Sequence, residues 1–169
     1  MPLELHPHDP RWAAYFDEVK ASLSGVLGRY APDIQHVGST SIAGIVAKPV
    51  IDVAVAIEQY PLPDEVLAAV EALGYTYWGD YGIPHRHLFF QRGGPVGYNI
   101  HINELANEQF QRHVLFRDYL RAHPDAAQEY ERLKLELAAQ HEDVNTYANS
   151  KSEFVRDILK KAHLWREGR

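Results

Sequence analysis

His36-Val37-Gly38-Ser39-Thr40-Ser41-Ile42-Ala43-Gly44-Ile45-Val46-Ala47-Lys48-Pro49-Val50-Ile51-Asp52-Val53-Ala54-Val55 joins two strand patterns through a turn-rich stretch. Ile34 to Val37 reads as a short strand ending at Gly38, and Pro49 to Ile57 is the near-continuous β-branched run of a buried central strand. Between them, Gly38-Ser39-Thr40-Ser41 predicts the start of a short helix, whose unpaired N–H groups and three hydroxyls face whatever sits above the turn. Anions favour such a place. It is not a Walker A loop, because five residues separate Gly38 from Gly44 and no Gly-Lys-Ser/Thr follows. Taken alone, the turn reads equally well as a capped strand-to-helix connection.

Asp52 tips that balance toward a site. A carboxylate inside Val50-Ile51-Asp52-Val53-Ala54-Val55 is expensive to bury unless it is paired, hydrogen-bonded or bound to a metal. Either it faces a site at the open end of the sheet, or it is a structural partner of Lys48 or an arginine.

Outward from this core, Asp9 to Tyr30 predicts a first helix, capped by Asp9, with Trp12, Tyr15, Phe16, Val19, Leu23 and Leu27 on one face. Pro63 to Gly74 predicts a second helix. Thr76 to Trp78, His87 to Gln91 and Tyr98 to Asn103 read as strands, the last two joined as an antiparallel hairpin by Arg92-Gly93-Gly94-Pro95. Three helices fit residues 107 to 163, with breaks near Ala122-His123-Pro124 and around Asp143. The order predicts one α+β domain: a mixed β-sheet flanked by helices, with a helical C-terminal third.

The 169 residues suit a single compact domain with a genuine core. Net charge is −6: residues 1 to 120 hold 8 Lys/Arg against 14 Asp/Glu, and residues 121 to 169 hold 9 of each. That balance argues against a nucleic-acid coat, while leaving room for a small polyanion at one site. The absence of cysteine removes disulfides, thiolate metal sites and Cys nucleophiles, leaving His, carboxylates and hydroxyls for chemistry. No apolar run is long enough to span a bilayer, and the start has no basic segment, so a cytoplasmic location without membrane attachment is the expectation.

Val37-Gly38-Ser39-Thr40-Ser41, then Gly44, then Ala47-Lys48-Pro49-Val50-Ile51-Asp52 resembles the signature of the GrpB family, a group placed in the nucleotidyltransferase-like superfamily. Further blocks carry the resemblance along nearly the whole chain: Asp9-Pro10 with Trp12, Phe116 to Arg121 with His123-Pro124, Tyr130 with Leu133-Lys134, and Lys151 with Phe154-Val155. The resemblance implies a mixed sheet in which the Gly-Ser turn holds the phosphates of a nucleotide. It further implies two carboxylates spaced by one residue on a strand, and a third from a neighbouring strand, holding divalent metal for nucleotidyl transfer. Residues i and i+2 share a strand face, so two such carboxylates can share an ion. This chain departs from the pattern: Asp52 takes the first position, Ala54 the second, and the strand expected to bring the third acid offers His101.

Ten histidines are a marked excess. Alternation puts Asn99, His101 and Asn103 on one face, and His85 and His87 share a face with Phe89; an antiparallel pairing would then bring His87 and His101 together near Asp52. Imidazoles with one carboxylate suit zinc, manganese or iron better than magnesium. The competing reading is a set of hydrogen-bonded, half-exposed strand histidines. His6, His8, His113, His123, His141 and His163 read as surface or capping residues, and His36 as facing either core or site.

Lys48 is placed to neutralise a phosphate, to pair with Asp52, or to sit at the surface. Arg86, Lys134 and Lys151 are further candidates for an anionic ligand, although the Glu/Arg/Lys pattern from Gln128 to Glu136 reads more simply as a solvated helix face. The site expected is therefore Gly38, Ser39, Thr40, Ser41, Arg86 and Lys151 for phosphate or nucleotide, Asp52 and Lys48 for catalysis, and Asp52, His101, His87 and His85 for a divalent metal (Mg, Mn or Zn). The functional expectation is a nucleotidyltransferase-like binder of a nucleotide or phosphorylated small molecule. The alternatives are a non-catalytic module that kept the pocket, or a His/Asp metal-dependent hydrolase. Esterase, dehydrogenase and zincin motifs are absent.

Overall fold

The computed structural model describes residues 4–140 and 151–168. Its elements are helix α1 (Arg11–Leu27), strands β1 (Asp33–Val37) and β2 (Val50–Ile57), helix α2 (Asp64–Ala72), strands β3 (Thr76–Tyr77), β4 (Arg86–Gln91) and β5 (Gly97–Glu104), and helices α3 (Glu108–Ala122), α4 (Pro124–Gln140) and α5 (Ser152–Glu167). This is the α+β architecture expected. The break predicted around Asp143 lies outside the described residues.

The strands form one mixed sheet in the order β1-β2-β5-β4-β3. Its central pair, β2 and β5, is parallel; β1 joins β2, and β4 joins β5, antiparallel. The β-branched run of β2 is buried because both faces are covered. Ile51, Val53, Val55 and Ile57 point into the main core with Ile100, Ile102 and Phe89, beneath Trp12, Phe16, Val19, Leu23 and Leu27 of α1 and Val66 and Val70 of α2. On the opposite face, Ala54 and Ala56 pack with Val37 against Phe110 and Val114 of α3. Small residues there allow the helix to lie close to the sheet.

Helix α1 starts where predicted, with the Asp9 carboxylate accepting the Arg11 backbone N–H at 2.9 Å. It ends sooner, giving way to a 3₁₀ turn over Gly28–Tyr30. The helical third docks on the stretch before β2: Ile42 and Ile45 pack with Leu120, Ala127, Tyr130 and Ile158. That packing brings α4 alongside the Gly-Ser turn. The N-terminal segment crosses the same region, because His6 and Ala47 exchange both backbone hydrogen bonds, at 2.9 and 3.0 Å. No helix among the described residues is long and apolar enough to cross a membrane.

Candidate functional site

Gly38 ends β1 with φ of 73°, a conformation suited to glycine. The chain then makes a single 3₁₀ turn over Ser39–Ser41 instead of opening a longer helix. The turn is held from all sides. Ser41 Oγ donates to Gly38 O, and Arg121 Nε donates to Ser41 O at 2.9 Å. Arg117 Nη1 donates to His36 O at 3.0 Å and to Gln35 Oε1 at 2.7 Å. His36 faces the core: it stacks on Phe16 with ring centroids 4.9 Å apart and places Nε2 2.9 Å from Thr40 Oγ1.

Beside this turn lies a cavity of about 220 Å³, lined by Leu5, Ser39, Thr40, Lys48, Val50, Asp52, Arg92, Asn99, Lys134 and Lys151. Four cationic residues face one carboxylate. In a chain of net charge −6, that concentration of positive charge is local. Each cation arrives by a different route. Lys48 comes from the segment entering β2, and Arg92 from the end of β4, where it donates to Gln91 O, Tyr98 O and Asn99 Oδ1 at 2.8 to 2.9 Å. Lys134 comes from α4 and Lys151 from the residue preceding α5.

Lys134 is almost completely buried, 2% exposed, and donates to Val46 O. One turn earlier, Glu131 accepts the Val46 N–H at 2.7 Å. The face read as solvated therefore grips both backbone polar groups of one residue, Val46. Burial first, and then Lys151 and Lys48, push the Lys134 ammonium down to about 7, against the pull of Glu131 and Asp52. Lys48 is pushed down too, by burial and by Lys151.

Asp52 Oδ1 lies 3.3 Å from Asn99 Nδ2 and 3.4 Å from His101 Nε2. Register explains this: Asp52 pairs with Asn99, and Ala54 with His101. Burial pushes the Asp52 carboxyl up, but the hydrogen bond and charge of His101, with His113 and Asn99, hold it below the usual carboxylate value. His113, expected on the surface, instead packs against His101 with the two rings tilted by 37° and their centroids 4.8 Å apart. Burial, then His101, drive it down to about 4, with Asp52 opposing and Arg86 and Arg112 adding to the fall.

The expected histidine cluster does not form. β4 pairs Leu88, not His87, with His101, so His87 falls opposite Ile102 on the other face. There its Nε2 accepts the Leu62 N–H at 3.1 Å, and its Nδ1 lies 2.7 Å from the Tyr77 hydroxyl. His85 sits at the rim, 3.0 Å from Glu104. Among the described residues, no three His, Cys, Asp or Glu side chains group to hold a metal ion. Ala54, in the second carboxylate position, is part of the apolar packing under α3. One carboxylate already bonded to an amide and an imidazole is a poor fit for magnesium, so the donor set does not match the metal pair that the resemblance implied.

Of the expected phosphate contacts, Ser39, Thr40 and Lys151 line the cavity and Gly38 is not in its lining, while both residues expected for catalysis, Lys48 and Asp52, line it. Ser41 is turned into its own 3₁₀ turn. Arg86 is buried elsewhere, donating to Asp80 O and Tyr81 O. Arg92 falls in the stretch whose sequence predicts a hairpin turn; its signal, a lone cation next to Gly-Gly, points to a turn as readily as to a site.

A five-stranded mixed sheet flanked by helices, with a cationic cavity over the β1–β2 turn, defines an α+β protein. The chain belongs to the GrpB family, described as GrpB protein, whose profile matches residues 2–161. UPF0157 protein YqkA of Bacillus subtilis is 39% identical over 168 residues, covering 99% of this chain and 49% of that protein. The chain thus spans about half the length of YqkA. Glutamate-rich protein GrpB of Alkalihalophilus pseudofirmus is 35% identical, with 92% of each chain covered. The crystal structure of the conserved protein GrpB from Enterococcus faecalis superposes with a TM-score of 0.87 at 32% identity, covering 94% of this chain and 96% of that one.

Proposed function

We propose that the cavity binds a nucleotide or another phosphorylated small molecule, with protein cations doing the neutralising that a metal pair does in active nucleotidyltransferases. The observation that carries this is the meeting of Lys48, Arg92, Lys134 and Lys151 around the Ser39–Thr40 hydroxyls in one cavity of about 220 Å³. Fixed ammonium and guanidinium groups in a partly desolvated cleft attract phosphate oxygens strongly, and Arg92 is preorganised by its three acceptors. Asp52 sets a limit on where negative charge fits, and orients Asn99 and His101 along the floor.

The placement of Ala54 in the apolar packing under α3 favours a binding module over a metal-dependent transferase. A His/Asp hydrolase has no support in a structure that sends His85 and His87 away from Asp52. The test is calorimetric titration of inorganic triphosphate and the common nucleoside triphosphates, each in magnesium and in EDTA. Binding that survives EDTA and weakens at least tenfold in Arg92→Ala and Lys134→Met supports the reading. Absence of binding by all these compounds, or binding indifferent to both substitutions, overturns it.

A further inference from the structure

Arg92 of the cationic cavity also reaches an aromatic shelf on the same face of the sheet. Asp52 pairs with Asn99, and Asn99 pairs with Phe90 on β4, so the three side chains form one row across the same face of the sheet. At roughly 4.8 Å per strand, Phe90 stands about 10 Å from Asp52. Arg92 bridges the two regions: it lines the cavity, bonds Asn99, and sets its guanidinium 5.9 Å from the centre of the Phe90 ring. Beyond Phe90, Trp78 packs on it with centroids 4.2 Å apart, and Tyr81 stacks on Trp78 at 4.7 Å and 29°.

Six large apolar side chains are exposed among the described residues, and the two aromatic ones, Trp78 at 47% and Tyr81 at 64%, are these stacked partners. Their display is built in. Tyr81 holds φ of 46°, an uncommon conformation for a bulky residue. The loop that carries it is pinned by the buried Arg86, which donates to Asp80 O at 3.0 and 3.1 Å and to Tyr81 O at 3.2 Å. A buried cation holding an exposed aromatic pair in a strained backbone conformation is a costly arrangement for a surface with nothing to bind.

We propose that Trp78, Tyr81 and Phe90 seat the planar ring of a nucleobase whose phosphates occupy the cationic cavity. This rests on the phosphate reading above and narrows its ligand from any phosphorylated small molecule to a nucleotide. Stacking on aromatic faces is tolerant of base identity, because every base has a π-face, and Arg92 adds a cation facing the same surface. The span of about 10 Å from Asp52 to Phe90 suits a ligand with its charged end and its ring separated by a sugar.

The experiment compares inorganic triphosphate with ATP, GTP, CTP and UTP by calorimetry, in the full chain and in Trp78→Ala and Tyr81→Ala. Both side chains are largely exposed, and thermal melts check that the variants remain folded. Nucleoside triphosphates are expected to bind at least tenfold more tightly than inorganic triphosphate, with that advantage lost in Trp78→Ala and reduced in Tyr81→Ala, while inorganic triphosphate is held within about twofold. Equal affinity for inorganic and nucleoside triphosphates, or equal weakening of both by Trp78→Ala, overturns the aromatic seat and leaves the phosphate site standing. Failure of inorganic and nucleoside triphosphates alike to bind overturns both.

Discussion

The carboxylate of Asp52 occupies the space that a side chain at Gly38 would need: a Cβ built there collides with Asp52 Oδ2 and comes within 3.0 Å of its Cγ. The turn and the acidic strand are thus fitted to each other, which is why a glycine and an aspartate fourteen positions apart belong to one motif.

Gly38→Ala is expected to destabilise the protein by about 2 to 4 kcal/mol, combining strain at positive φ with displacement of the Asp52 side chain. Gly44→Ala is the control, because Gly44 also has positive φ, 85°, but open space around its Cβ. It should lose only the backbone part, about 1 to 2 kcal/mol. Urea denaturation of both variants checks this; equal losses would show that the Asp52 contact carries no energy.

Ala54→Asp is expected to destabilise by several kcal/mol without creating metal affinity, since the new carboxylate would enter the apolar packing of Val37, Ala56 and Phe110. The measurement pairs denaturant unfolding with a manganese titration. Tight manganese binding by a well-folded Ala54→Asp would show that position 54 opens to the cavity after all.

What was legible in the sequence follows from locality. The β-branched run of β2, the Gly-Ser turn and the Arg92-Gly93-Gly94-Pro95 hairpin are local patterns, and each stands where the pattern put it. The face of β4 was not legible, because it depends on register: Gln91 pairs with Tyr98, which makes Leu88 the partner of His101, and a shift of one residue would have exchanged every side chain between faces. Lys134 was visible as a candidate cation but not as buried, since its partner Val46 is 88 residues away in sequence. His113 was missed for the same reason: its burial against His101 depends on how α3 crosses the sheet. The aromatic shelf assembles from the β3–β4 connection, which carries Trp78 and Tyr81, and from Phe90 of β4, and it leaves no periodic signal.

Acid should weaken the fold through His36 and His113 in a defined window. Both are pushed by burial from the usual histidine value down to about 4, so the unfolded chain binds protons that the folded one refuses. Their contribution is fully present above pH about 6.5 and is lost as pH falls toward 4, up to about 3 kcal/mol for each. Asp52, lowered from the usual carboxylate value, adds a loss only at still lower pH. Urea midpoints measured from pH 7 to 4 should fall, and His113→Phe should flatten part of that slope. An unchanged slope in the variant would mean that His113 titrates normally in the fold.

Lys134 acts with the same sign as the two histidines but in a more alkaline window, and it links stability to ligand. Its ammonium is lowered to about 7 in the fold against an unfolded value near 10.5, so the folded state binds fewer protons between those limits. Stability from this group is therefore greatest above pH about 10.5 and falls as pH drops to about 7, below which it is constant. Relative to Lys134→Met, the wild type should gain up to about 1.4 kcal/mol per pH unit across that window. A phosphate in the cavity reverses the preference, because an anion beside the ammonium favours its charged form. Binding of inorganic triphosphate at pH 8 should then take up close to one proton, read from the dependence of binding heat on the ionisation enthalpy of the buffer. Lys134→Met should bind more weakly and lose most of that uptake. Proton uptake preserved in the variant would assign it to the ligand or to another cavity residue, and would separate Lys134 from phosphate recognition.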